Sequence, residues 1–177
     1  MSAVIGIRRE TKGPWERRSP LVRHDPLAHQ REHAIEVELP FLQTIAPNSR
    51  VAPIVLAWDR WEPAADVAGA LAETVSEWSD DVLLVASSDM THYESADAAE
   101  AKDQRALEAV EQLDGKELLA RCRAENITMC GRAPSAVVID AARRLGATSG
   151  RVVDYRNSGW VTGDESAVVA YAGVVIG

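Results

Sequence analysis

The sequence predicts a layered α/β domain in which a mixed, mostly parallel sheet is flanked by helices. Strand-like and helical segments alternate along the chain, the order typical of α/β proteins. The segment from Asp81 to Ala86 is a short run of Val, Leu and Ala without polar alternation. Such a run is expected for a parallel strand covered on both faces. With 177 residues, of which 46% are hydrophobic, the chain is long enough for one compact domain.

The first half of the chain contains two predicted strands and two predicted helices. The strands cover 3–8 and 51–57. One helix begins at Pro26, and the other covers 62–78. Pro40 should bend or end the first helix because proline has no amide hydrogen to donate. Pro53 predicts an edge or early position in its strand for the same reason. Val67, Leu71 and Val75 recur every four residues, which places them on one face of the second helix.

The second half continues the alternation. Strands are predicted over 82–86, 152–155 and 166–176, and helices over 96–113, 116–124 and 134–145. Ser95 and Asp114 precede two of these helices and are predicted to cap their first turns. Gly146 follows the last helix and is expected to end it.

Charge and composition exclude several classes of function. The net charge is −8, which suits a nucleic-acid-binding protein poorly. No apolar run is long enough to cross a membrane, and the first residues lack the apolar core of a secretion signal, so we expect a cytoplasmic protein. Cys122 and Cys130 form neither a CxxC pair nor a disulfide framework. Residues 1–23 carry a net charge of +4, which suggests a change in origin near residues 19–24.

The stretch from Ser87 to Tyr93 is the most informative of the chain. It follows a predicted buried strand, and open α/β sheets bind ligands at the carboxyl ends of their strands. Asp89 and His92 are three residues apart and can bind a metal or transfer a proton. A helix cap followed by a surface histidine is an equally simple interpretation of the same residues.

Two further segments carry candidate ligands. Cys130 comes directly before a predicted helix, where the helix dipole and Arg132 favour the thiolate, the form that binds metals. A small buried cysteine packed under the helix is as good an interpretation. On a continuous helix, His29, His33 and Glu36 would share one face. The His-Glu-x-x-His order of zinc peptidases is absent there, and a lone helical histidine is more often a structural or surface residue.

Four motifs in order resemble one known family. They lie at 32–41 (Glu-His-Ala-Ile-Glu-Val-Glu-Leu-Pro-Phe), 87–92 (Ser-Ser-Asp-x-x-His), 130–134 (Cys-Gly-Arg-x-Pro), and 157–159 with 166–173 (Asn-Ser-Gly and Ser-Ala-Val-Val-Ala-Tyr-Ala-Gly). Together they resemble the Memo family, whose prokaryotic members are called AmmeMemoRadiSam system protein B. The resemblance runs from about residue 21 to residue 177. It implies a fold similar to the class III non-haem iron extradiol dioxygenases.

The resemblance also implies a site. The family's metal ligands correspond to His33, His92 and Cys130, with Asp89 and His92 as catalytic residues. We assign substrate binding to Arg132 and Asn157. The cofactor implied is a divalent metal, namely iron, copper or zinc. No nucleotide cofactor is expected, since no glycine-rich dinucleotide fingerprint is present.

Two functions follow as expectations. The first is a metal-dependent redox or dioxygenase-like activity acting on a small molecule. The alternative is a non-catalytic module that binds a peptide or protein in the same cleft. Radical-SAM and AMMECR-type proteins are the implied partners, and neither nucleic acid nor a membrane is expected to bind.

The N-terminal region departs from the family pattern. Residues 1–20 are expected to be a foreign segment, because 4–22 resemble the opening of the alanine dehydrogenase and lysine-ketoglutarate reductase group. Residues 21–177 are expected to form a Memo-like domain that is truncated at its N-terminus. The family's His-Ala-Gly-Tyr motif, which supplies another metal ligand, is absent from this sequence. Val4-Ile5-Gly6-Ile7 is a candidate replacement strand, and metal binding or activity is expected to be impaired.

Overall fold

The computed structural model describes residues 17–56, 58–79 and 81–177, together with the backbone of residues 2–5. The helices are α1 (Leu39–Ile45), α2 (Trp61–Ser76), α3 (Ala96–Glu111), α4 (Gly115–Ala124), α5 (Arg132–Arg144) and α6 (Gly159–Thr162). The strands are β1 (Ser2–Ile5), β2 (Ala52–Val55), β3 (Leu84–Ser87), β4 (His92–Glu94), β5 (Gly150–Asn157) and β6 (Val168–Ile176). Within the described part of the chain, no helix combines the length and apolar character needed to cross a bilayer. The protein is therefore a mixture of helices and small sheets, as the α/β prediction requires.

The first sheet has the strand order β2-β1-β3. β1 pairs antiparallel with both of its neighbours, so β2 and β3 run in the same direction without pairing with each other. Pro53 lies in β2, an edge strand of this sheet, as predicted. The strand predicted over 3–8 corresponds to β1 as far as Ile5, and its remaining residues, with Gly6 and Ile7 of the possible replacement strand, lie outside the described residues.

The second sheet has the order β4-β6-β5, and its pairs are also antiparallel. The prediction of a mostly parallel sheet is therefore wrong for the described strands. β5 and β6 follow each other with only residues 158–167 between them. Parallel neighbours need a crossover of a dozen or more residues, whereas antiparallel neighbours accept a short connection. In the first sheet, β1 separates the two strands that a crossover would have paired.

α5 is the central helix of the molecule. Val137 packs in a cluster formed with α2 and β2, and Ile139 packs in a second cluster formed with α3, α4 and β6. Full burial of a side chain of this size stabilises the fold by roughly 1.5–3 kcal/mol. Met90 and Met129 belong to the second cluster and are both buried. Met90 follows Asp89 and Met129 precedes Cys130, so the core anchors both segments that carry candidate ligands.

Helix ends follow the sequence predictions closely. The Ser95 side chain accepts a hydrogen bond from the amide of Ala98, and the Asp114 side chain accepts one from the amide of Glu117. Gly146 follows α5 with φ +107°, a backbone conformation that glycine adopts without steric cost. Local chemistry alone therefore predicted where these three helices begin or end.

The region between residues 26 and 45 differs from the predicted single helix. It forms two 3₁₀ turns, Pro26–His29 and Glu36–Glu38, followed by α1. Pro40 lies in the first turn of α1, where its missing amide hydrogen costs nothing. Because the chain between the two 3₁₀ turns is not helical, His29, His33 and Glu36 do not share a continuous helical face.

Candidate functional site

Three side chains converge beside the end of the first sheet. Asp89 lies in the loop after β3, His92 begins β4, and Cys130 precedes α5. One ligand atom from each lies within 4.8 Å of those of the other two. His92 Nε2 is 3.5 Å from Asp89 Oδ2, and their side chains are 22% and 49% exposed. The structure therefore brings together two of the predicted metal ligands and the predicted catalytic aspartate in a group that solvent can reach.

Hydrogen bonds connect the Cys130 segment to the β3 loop. The backbone amide of Asp89 donates to Cys130 Sγ at 3.2 Å. In return, the backbone amide of Gly131 donates to Ser88 Oγ at 2.8 Å. A Cβ atom added to Gly131 would lie 2.3 Å from Ser88 Cβ and 2.5 Å from the carbonyl oxygen of Ser87. Only a residue without a side chain allows this close approach.

The location of Cys130 matches the sequence prediction. Gly131 is the N-cap of the 13-residue helix α5, so the thiol of Cys130 lies at the positive end of that helix. Cys122, by contrast, is buried in α4, and burial raises the pKa of its thiol to about 11. Cys130 is thus the cysteine placed for metal binding, and Cys122 is a core residue.

Two tyrosines are connected with the group, one by sequence and one by electrostatics. Tyr93, next to His92, has φ +61°, an uncommon conformation for a residue with a side chain, and the strand register shifts at this point. The pKa of Tyr171 is raised by burial and, to a lesser extent, by the negative charge of Asp89. Tyr171 therefore lies close enough to Asp89 to feel its carboxylate, a proximity that no sequence pattern indicated.

His33 lies outside the group of three ligand atoms. Its Nδ1 atom is 3.1 Å from Oε2 of Glu36, and its side chain is 80% exposed. The same segment approaches the site at another residue, since Glu38 Oε1 accepts a hydrogen bond from Ser87 Oγ at 3.2 Å. The assignment of His33 as a metal ligand stays a prediction.

The predicted substrate-binding residues have partners within the protein. Arg132 Nε donates to Asp59 Oδ2 at 2.9 Å, and this bond holds the pKa of Asp59 below its usual range. Asn157 Oδ1 accepts a hydrogen bond from the amide of Gly159 at 2.9 Å. These contacts give both side chains a structural role, and substrate binding by them stays a prediction.

Sequence reasoning missed one polar neighbour of the site. Thr128 Oγ1 accepts a hydrogen bond from the backbone amide of His92 at 2.8 Å. No local pattern around Thr128 signals this contact, because the two residues are 36 positions apart and meet only in the folded chain. Ser87 and Ser88 belonged to the predicted site stretch, but their bonds to Glu38 and Gly131 were not foreseen.

Comparisons with known proteins agree with the motifs. A family model described as "Memo-like protein" matches residues 10–175. The chain is 46% identical over 157 residues to a MEMO1 family protein of Aquifex aeolicus, covering 88% of this chain and 58% of that protein. It is 40% identical over 156 residues to one from Methanothermobacter thermautotrophicus, covering 88% of this chain and 56% of that protein.

The extent of the match is informative as well. The chain spans a little more than half the length of the curated relatives it matches, 58% and 56% for these two. The match to the family model begins at residue 10, inside the segment expected to be foreign, so the boundary near residue 20 stays a prediction. The predicted resemblance itself is confirmed by this range and these identities. The chain belongs to the Memo-like protein family.

Proposed function

We propose that this protein binds a divalent transition metal through Asp89, His92 and Cys130 and uses the centre for redox or dioxygenase-like chemistry. The observation that supports the proposal is the convergence of a carboxylate oxygen, an imidazole nitrogen and a thiol sulfur within 4.8 Å. Three protein ligands are typical of catalytic sites, whereas structural zinc sites have four.

The donor set and its spacing suit such an ion. Nitrogen and sulfur donors favour iron, copper or zinc over magnesium and calcium. Two ligand atoms about 2.0–2.1 Å from a tetrahedral ion are roughly 3.4 Å apart. His92 Nε2 and Asp89 Oδ2, at 3.5 Å, already have this separation. This pair therefore needs little rearrangement to hold a metal, and Cys130 Sγ lies within 4.8 Å of both of its ligand atoms.

The residues of the chain contribute more than ligand atoms. A bound metal would supply Lewis-acid or redox chemistry. In the metal-free site, Asp89 faces the imidazole of His92, so a proton on Nε2 can be held between the two side chains, and a metal bound through both would displace that proton. The amide of Asp89 directs its hydrogen at Cys130 Sγ and so stabilises negative charge on the sulfur. His92 as acid or base and Asp89 as its partner are the roles predicted from the sequence.

The finer assignments are part of the proposal. His33 would join as a further ligand if its segment moved toward the cleft, in line with the family resemblance. The likeness to class III extradiol dioxygenases and the identity of the metal as iron, copper or zinc are proposed on the same basis. Because the chain spans little more than half of its relatives, the activity of a whole family member is also proposed, not transferred.

Metal uptake tests the proposal directly. The purified chain is loaded anaerobically with Fe(II), and separately with Co(II), and bound metal is counted by mass spectrometry. We expect about one ion per chain and, with cobalt, a sulfur-to-metal charge-transfer band. Both should be lost in Cys130→Ala and His92→Ala. Cys122→Ala is the matched control for losing a thiol, and His33→Ala decides whether His33 is a ligand. Absence of stoichiometric uptake by the unaltered chain would rule the proposal out.

A peptide- or protein-binding module in the same cleft is the alternative. It needs cations to meet an anionic ligand, and Arg132 and Arg156 are the candidates for this role. Arg132 is bonded to Asp59, and Arg156 lies 3.1 Å from Asp154 and stacks on Trp160. These pairings favour the metal centre over the binding module. Phosphopeptide binding that survives metal chelation and is lost in Arg132→Ala would reverse that preference.

A further inference from the structure

A buried carboxylate is hydrogen-bonded to the loop that carries two of the proposed metal ligands. Asp103, on α3, is 0% exposed and is surrounded by the apolar cluster that contains Ala99, Ala106 and Leu107. A carboxylate removed from water costs several kcal/mol unless it is well hydrogen-bonded. A charged group in this location therefore calls for an explanation beyond packing.

The donors that satisfy Asp103 come from the site loop and the second sheet. Oδ1 accepts from the backbone amide of Thr91 at 3.0 Å and from Thr91 Oγ1 at 2.7 Å. Oδ2 accepts from the phenol of Tyr155 at 2.8 Å. Burial raises the pKa of Asp103, while these bonds from Thr91 and Tyr155 oppose the rise. The carboxylate thus joins α3 to the loop and to β5.

Thr91 is one of the two residues between the candidate ligands Asp89 and His92, and it directly precedes His92. The four backbone amides from 89 to 92 point to four different partners: Cys130 Sγ, the carbonyl oxygen of Ala170, the carboxylate of Asp103 and Thr128 Oγ1. No regular strand or helix would produce this sequence of partners. Thr91 is fully buried, so its amide and hydroxyl depend on an acceptor from the protein.

We propose that Asp103 is a positioning residue of the metal centre, which orients Asp89 and His92 by holding Thr91 between them. This inference rests on the proposed metal-binding function. The carboxylate suits the task because one of its oxygens accepts two bonds from the same residue, which fixes both the backbone and the side chain of Thr91. Asp89 and His92, on either side of Thr91 in the chain, have ligand atoms within 4.8 Å of Cys130 Sγ.

Three variants separate positioning from general stability. Asp103→Leu removes both side-chain oxygens that accept hydrogen bonds from Thr91. Asp103→Asn keeps one of these oxygens and should therefore keep the orientation of Thr91. Asp140→Leu is the matched control, because Asp140 is also buried but is paired with Arg143 and Arg144 on α5 instead of with the site loop. Thr91→Val keeps the shape of the side chain and removes its hydroxyl donor, so it serves if Asp103→Leu fails to fold.

The readouts are cobalt binding and amide hydrogen exchange. We expect Asp103→Leu, or Thr91→Val in its place, to weaken Co(II) affinity by about tenfold or more and to shift the thiolate band. Exchange at residues 89–92 should also speed up in the metal-free protein. Asp103→Asn should stay close to the unaltered chain. Asp140→Leu should lower the melting temperature and leave the position of the thiolate–cobalt band unchanged.

The outcomes keep the two proposals apart. If the unaltered chain takes up no cobalt, the metal-binding proposal fails, and exchange at residues 89–92 in the metal-free variants still decides whether Asp103 holds the loop. If Asp103→Leu leaves both exchange and the cobalt spectrum unchanged, positioning by Asp103 is wrong. It is equally wrong if Asp140→Leu produces the same spectral change, since the effect would then be one of stability.

Discussion

Replacing Gly131 with alanine should separate the two segments that form the site. The backbone of Gly131 has φ −90° and ψ 22°, which alanine tolerates, so the substitution tests space and not backbone strain. The added Cβ would lie 2.3 Å from Ser88 Cβ and 2.5 Å from the carbonyl oxygen of Ser87. Since carbon atoms pack at about 3.5–4.0 Å, the Cys130 segment and the β3 loop must move apart by about 1 Å.

This displacement has a predictable cost. Forcing an extra methyl group into a packed site typically destabilises a protein by about 1–3 kcal/mol. A shift of about 1 Å also exceeds the roughly 0.2 Å tolerance of metal–ligand distances. The bonds from Asp89 to Cys130 and from Gly131 to Ser88, now 3.2 and 2.8 Å, would both lengthen. We expect lower stability together with at least a tenfold loss of cobalt affinity, as for the loss of supporting contacts around a metal site.

Urea unfolding and a cobalt titration measure the two effects. Gly69→Ala is the matched control. Gly69 lies inside α2, and a Cβ atom added there would meet only the end of the flexible Arg144 side chain, at 3.3 Å. Alanine in a helix interior should leave stability equal or raise it by about 0.5–1 kcal/mol. Adding Ser88→Gly to Gly131→Ala should restore at most part of the loss. It removes the clash with Ser88 Cβ, but the clash with the Ser87 carbonyl remains and the Ser88 hydroxyl that accepts from the amide of residue 131 is lost. A Gly131→Ala protein with unchanged stability and unchanged cobalt affinity would refute the reasoning.

Three further predictions concern single groups near the site. Tyr93 has φ +61°, a conformation that asparagine tolerates better than other residues with a side chain. Tyr93→Asn should therefore raise the free energy of unfolding by about 0.5 kcal/mol, and Tyr93→Val should lower it. Urea unfolding of both variants checks the sign. Because Arg132 lowers the pKa of Asp59, their pairing contributes stability at neutral pH, above the ordinary pKa of aspartate. That contribution is lost as the pH falls through the lowered value, so Asp59→Asn should flatten the acid limb of a stability–pH curve. A thiol reagent at neutral pH should label Cys130 and spare Cys122 until the protein unfolds, as mass spectrometry can show; rapid native labelling of both would contradict their assigned locations.

Much of the local structure was predictable because its causes are local. Ser95, Asp114 and Gly146 mark helix ends through bonds and backbone angles that involve only the next few residues. The placement of Cys130 before a helix followed from the residues after it. The strand β4 was not predicted, since its three residues are too short for a pattern and are defined by pairing with β6.

The candidate site was predictable in part. Asp89 and His92 are three positions apart in sequence, so any compact loop keeps them close. Joining them to Cys130 required the family resemblance, because 38 positions separate His92 from Cys130 in the chain. The segment around His33 shows where hydrophobic spacing fails as a predictor. The spacing predicted one helix that Pro40 bends or ends, but the segment forms two 3₁₀ turns and a separate helix.

The sequence by itself determined the family, the approximate bounds of α2 to α5 and the residue types available for a metal. These depend on short-range chemistry and on motifs that can be recognised in the sequence without the structure. Tertiary structure alone decided that the described strands pair antiparallel, that the charge of Asp89 reaches Tyr171, and that Asp103 accepts hydrogen bonds from Thr91. Each of these is an interaction between segments distant in the chain, and its free energy depends on packing and desolvation that exist only after the segments have met.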